Sequence, residues 1–164
     1  MIKYMFLLFI SPLLFVSCND SSNVKEKVNN PEAIALDNCK PGFGEFMTNV
    51  QIHHAKLWFA GKYQNWALAD FELNEISETI DAIKKYQQER PETKVLSILN
   101  PAMDSVRVSI RQQDQKLFVK SFTDLTNTCN ACHQSVKFGF NVVKIPDTPP
   151  FSNQDFSVKQ KAAR

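Results

Sequence analysis

Near the C-terminal end of the chain, Cys129-Asn130-Ala131-Cys132-His133 sets two thiols three residues apart with a histidine directly after the second. This C-x-x-C-H order is the pattern of covalent c-type haem attachment. On a helix, residues i and i+3 share a face, so Cys129 and Cys132 can reach one porphyrin edge together and add across its vinyl groups. His133 then turns its imidazole to the iron as the axial ligand of one face. Redox or ligand chemistry in such a protein belongs to the iron, and the chain supplies position and surroundings. Two other chemistries draw on the same side chains. A structural zinc ion would recruit Cys39 with His53 or His54, but zinc sites carry a second paired ligand motif, and Cys39 has no cysteine close to it in sequence. A dithiol redox pair expects a βαβ context, which this sequence lacks.

The elements that must position the motif read as helices. Only four glycines, little Val/Ile/Thr alternation and long stretches of Ala, Leu, Glu, Gln and Lys favour an all-α fold. Phe43, Phe46, Met47, Val50, His54, Leu57 and Trp58 fall on one side of a 3.6-residue period and predict a helix over about 43 to 60, stopped by Gly61. Asn65 caps a second helix carrying Trp66, Ala69, Leu73, Ile76, Ile80 and Ile83, which ends before Arg90-Pro91. Asn100 as cap and Pro101 at the first position open a third helix, with Met103, Val106 and Ile110 inward, and Val95 to Leu99 ahead of it reads as an extra turn. The fourth starts at Asp114, buries Leu117, Phe118, Phe122, Leu125 and Cys129, and runs into C-x-x-C-H. Short links between them predict an antiparallel four-helix bundle with the attachment site near the end of its last helix. Phe138 to Ile145, followed by Pro146, Pro149, Pro150 and Phe151, predicts an extended tail that folds back over a haem edge or the bundle's end.

The last-helix pattern Phe122-Thr123-Asp124-Leu125, three residues, then Cys129 to His133 resembles that of the class II cytochromes c, the group of cytochrome c-prime and its low-spin relatives. The resemblance spans about residues 43 to 136. The segments Gln51 to Gly61 and Asn65 to Ala69, with the tail from Pro149 to Phe156, are similar to a set of small bacterial exported monohaem cytochromes of unassigned role. The resemblance implies that the first helix covers the far side of the haem and that a methionine there binds iron in low-spin members, which singles out Met47 as the candidate sixth ligand. His54 is the alternative. It lies seven residues on, about 10 Å along the axis, so one iron cannot readily take both. His53 is a weaker third choice, because adjacent residues point about 100° apart and only one of the pair faces inward. Phe118, Phe122, Phe138 and Phe140 are candidates for packing on the haem or simply for the core. Lys56 reads as a contact to a haem propionate or as a solvated lysine.

Composition sets the remaining bounds. The 164 residues, 43% hydrophobic and 22% charged with a formal net charge of +2, amount to one domain with extensions, and no Lys/Arg cluster points to nucleic acid. Residues 1–17 read as an export signal, with Lys3 ahead of the apolar run Met5 to Leu14, too short to span a bilayer. Leu14-Phe15-Val16-Ser17-Cys18 resembles a bacterial lipoprotein processing site, which makes Cys18 the lipidated first residue of the mature chain. Ordinary cleavage to a soluble product is the alternative. Residues 18–40 then form a polar tether, 41–136 the cytochrome domain and 137–164 the tail. With Cys18, Cys129 and Cys132 assigned, Cys39 stands alone and the chain has no disulfide framework.

These readings converge on a monohaem c-type cytochrome, tethered by lipid on the periplasmic side of an envelope membrane and passing single electrons between redox proteins. A haem protein with an open sixth site for nitric oxide or carbon monoxide is the alternative. A non-haem zinc-binding lipoprotein adaptor is a further one. Catalysis is not expected; a peroxidase-like activity would need His53 or His54 as distal acid-base group. The resemblance leaves a homodimer open.

Overall fold

A computed structural model describes residues 41–157, and the readings on the export signal, Cys18, the tether and Cys39 fall outside them. The fold is all-helical, with no strand among the described residues. Four α-helices follow one another: α1 (Phe43–Lys62), α2 (Trp66–Tyr86), α3 (Asn100–Gln112) and α4 (Gln115–Ser135), with a 3-10 segment Thr93–Leu99 between α2 and α3. α1 packs along α2 and α3 along α4, while α2–α3 and α1–α4 contacts close the ring, as in a four-helix bundle. No described helix is long and apolar enough to cross a membrane.

Local chemistry explains most of the helix starts. The Glu45 carboxylate accepts from Gly42 N–H at 2.9 Å and places negative charge on the first turn of α1. Asn65 Oδ1 accepts from Leu68 N–H (3.2 Å) at the start of α2, and Asp114 Oδ1 from Leu117 N–H (3.0 Å) at the start of α4. α3 departs from its expected start. Asn100 is already helical and makes no side-chain cap, because the 3-10 turns of Thr93–Leu99 run straight into the helix.

The end of α1 also departs from expectation. Gly61 lies inside the helix and is buried; the chain leaves at Tyr63, and Gln64 takes the left-handed conformation (φ 59°) expected of a glycine. The reason for glycine at 61 is close approach: a Cβ there would overlap the ring of Phe118 on α4. Gln113 and Lys137 end α3 and α4 with the same left-handed turn (φ 53° and 67°).

The core follows the predicted stripes, except that Leu117 stays half-buried outside it. Leu57, Leu73, Ile80, Ile83, Val106, Phe118 and Phe122 are fully enclosed. Trp58 and Trp66 anchor an aromatic cluster, with ring centroids 5.1 Å from Phe122 and 6.0 Å from Phe118 respectively. The non-helical tail returns to the bundle. Phe156 is buried with its ring 5.7 Å from that of Phe59, a contact the helical period could not disclose because Phe59 sits off the main stripe.

Candidate functional site

The whole C-x-x-C-H run lies within the last two turns of α4. It forms one wall of a cavity of about 260 Å³. Cys129, Cys132 and His133 line it from α4, Met47, Val50 and His54 from α1, and Leu96 and Leu99 from the 3-10 segment. The tail adds Phe138, Asn141 and Val143. Six of the side chains that the sequence puts forward for the site therefore share one mainly apolar space: the three motif residues, Met47, His54 and Phe138.

The two histidines in this space are each fixed by a hydrogen bond. His133 Nδ1 stands 2.7 Å from the backbone carbonyl of Asn141. A carbonyl only accepts, so Nδ1 carries a proton, and the lone pair of the neutral ring is on Nε2. His54 Nε2 is 2.9 Å from Thr126 Oγ1, whose hydroxyl lies 2.9 Å from the carbonyl of Phe122. The single hydroxyl proton goes to that carbonyl, so His54 donates through Nε2 and Thr126 accepts. The ring also lies 4.5 Å from that of Phe122, and burial pushes its pKa down to about 4. His54 is thus a neutral imidazole fastening α1 to α4 through its Nε2 nitrogen. Met47 makes no such commitment and packs half-buried against the core.

Burial pushes the Cys129 thiol up to about 12, with the neighbouring Cys132 adding to it, and burial raises Cys132 as well. Both are neutral thiols at neutral pH, unlike the low-pKa cysteines of redox and nucleophilic sites. Among the described residues, no three or more His, Cys, Asp or Glu side chains gather closely enough to hold a bare metal ion.

His53 points elsewhere. It does not line the cavity; its Nδ1 donates to Glu72 Oε2 at 2.7 Å, and Glu75 lies 3.8 Å from its Nε2. Lys56 pairs with the same Glu72 at 3.7 Å and stands over the Phe151 ring, away from the cavity. Of the four phenylalanines considered for the cofactor face, Phe118 and Phe122 are core, Phe138 lines the cavity, and Phe140 is 81% exposed.

Sequence reasoning missed four participants. Thr126 and the Asn141 carbonyl act on histidines far from them in sequence or through the backbone, so no side-chain pattern announces them. Glu92 also lines the cavity, held by Arg90 through bonds of 2.9 and 3.2 Å that keep its carboxyl below the usual range. Asn130 was visible inside the motif, but its partners, the N–H and carbonyl of Val143 at 2.8 Å each, belong to the tail backbone. Comparison of the chain with family models, with curated proteins and with solved structures returns no match.

Proposed function

We propose that this protein is a monohaem c-type cytochrome that carries single electrons. The observation that carries the reading is the meeting of both motif cysteines, a histidine of fixed tautomer and Met47 around one apolar cavity. This donor set fits a haem. Cys129 and Cys132 would hold the group covalently through their sulfurs, and His133 would bind its iron through Nε2. When bound, haem supplies a reversible one-electron change at iron. The chain's own part is to exclude water with Val50, Leu96, Leu99 and Phe138, to hold His133 through the Asn141 carbonyl and to offer Met47 from α1.

Met47 is favoured over His54 as the sixth ligand, because His54 spends its Nε2 on Thr126. The same bond argues against His54 as the acid-base group of a peroxidase, because it ties up Nε2, and His53 is turned to Glu72. The kinship with class II cytochromes c and the lipid anchor at Cys18 belong to this proposal and rest on the sequence. A redox protein of the envelope is the partner it implies.

Optical spectra test the reading. The chain, expressed with c-type haem maturation, is expected to be low-spin in ferric and ferrous forms and unmoved by carbon monoxide, with Met47→Ala becoming high-spin and open to the gas. A parent protein that is already high-spin and shifts with carbon monoxide would replace the electron carrier with the gas-binding haem protein.

A further inference from the structure

We infer that Asn130, the first variable residue of C-x-x-C-H, is a positioning residue that sets the donor strength of His133 by clamping the C-terminal tail. The inference rests on the haem reading and deepens it. The Asn130 carboxamide grips Val143 in both directions: Nδ2 donates to the Val143 carbonyl and Oδ1 accepts from the Val143 N–H, each at 2.8 Å. A side-chain amide thus satisfies both backbone hydrogen-bonding groups of one tail residue. Two residues earlier, the carbonyl of Asn141 takes the Nδ1 proton of His133 at 2.7 Å. The segment reaches this place through the left-handed turn at Lys137, with Phe138 N–H on the His133 carbonyl and Asn141 N–H on the Phe138 carbonyl, both at 2.8 Å.

The coupling is mechanical and short. Asn130 and His133 are one helical turn apart on α4, so the same turn that presents the imidazole also holds the carbonyl that orients it. Hydrogen bonding at Nδ1 gives the ring some imidazolate character and strengthens Nε2 as a donor, which favours the ferric over the ferrous state. Removing the clamp frees the 141–143 backbone, hands the Nδ1 proton to water and weakens that donation. The reduced form then gains, and the potential rises. Outer partners of metal-bound histidines change affinity or activity by about 10–100-fold when lost. The expected shift here is at the lower end, about tenfold in the equilibrium constant for reduction, because the carbonyl is displaced and not deleted.

The test compares the parent haem-loaded chain with Asn130→Ala and with Val143→Pro, which removes one half of the grip and leaves C-x-x-C-H untouched. Amide hydrogen exchange at residues 141 and 142 and the reduction potential are read on each, with exchange at 143 read as well on the parent and on Asn130→Ala. Faster exchange together with about tenfold easier reduction in both variants supports the inference. Faster exchange at an unchanged potential overturns it and leaves Asn130 a structural clamp alone; unchanged exchange overturns it as well. A parent chain without covalent haem by intact mass refutes the underlying haem reading, an outcome distinct from either.

Discussion

His54 should make the fold sensitive to pH in a window of its own. In the unfolded chain its imidazole titrates near 6.5, whereas burial among α1 and α4 side chains lowers that value to about 4. Between these values the unfolded chain binds a proton that the folded one refuses, so folding stability falls as pH drops from 6.5 and levels off below 4. At about 1.36 kcal/mol per unit, the full difference amounts to about 3 kcal/mol, of which about 2 kcal/mol is gone by pH 5. The lowered carboxyls of Glu92 and Asp147 act with the same sign but at lower pH: their contributions are present above ordinary values of 4.5 and 3.8 and are lost as pH falls through lower ones, at the acid end of the His54 window and beneath it. The assay is urea unfolding at several pH values from 7.5 to 4.5, on the parent and on His54→Gln, which can still donate to Thr126 and carries no proton switch. A constant offset from the lost stacking on Phe122 is expected, so the slope is the readout. Parallel stability curves for the two proteins through this range would refute the account of a buried, neutral His54.

Two further substitutions probe the helix ends and the interface they serve. Gly61→Ala adds a methyl group onto the enclosed Phe118 ring; overpacking of about 1–3 kcal/mol opposes a helix-propensity gain of about 1 kcal/mol, and since Phe118 has nowhere to move, a net loss in urea midpoint is expected. An unchanged or higher midpoint would mean that α1 and α4 separate easily. Lys137→Gly relieves a left-handed residue at the end of α4 and should stabilise by about 0.5–1 kcal/mol, checked by thermal unfolding; destabilisation would show that the Lys137 side chain matters more than its backbone.

The helices were legible because burial on one face imposes a 3.6-residue rhythm, and Ile76, Ile80 and Ile83 on α2 or Phe118, Phe122 and Leu125 on α4 keep it without exception. Ends were harder. Gly61 carries the chemistry of a helix stop yet is spent on contact with Phe118, and the actual turn falls on Gln64, which no propensity favours. Asn100-Pro101 has the spelling of a helix start, but the 3-10 turns before it had already begun the rise. Period alone put Met47 and His54 on one face of α1, and only the resemblance turned that face toward the motif. What separated them was Thr126, a residue 72 positions from His54, which only the packed bundle brings near. Glu72 shows the same limit in reverse: a carboxylate beside Leu73 in the sequence looks solvated, yet it is 1% exposed and serves His53 and Lys56 together.

The central claim is covalent haem on Cys129 and Cys132, and intact mass tests it most directly. The full chain, produced with c-type haem maturation, and its Cys129→Ser/Cys132→Ser double variant would each be weighed and then unfolded in acid. The account predicts a parent heavier by one haem whose colour stays with the unfolded polypeptide, and a variant with neither property. A colourless parent of unmodified mass, holding stoichiometric zinc that the same substitutions remove, would contradict it.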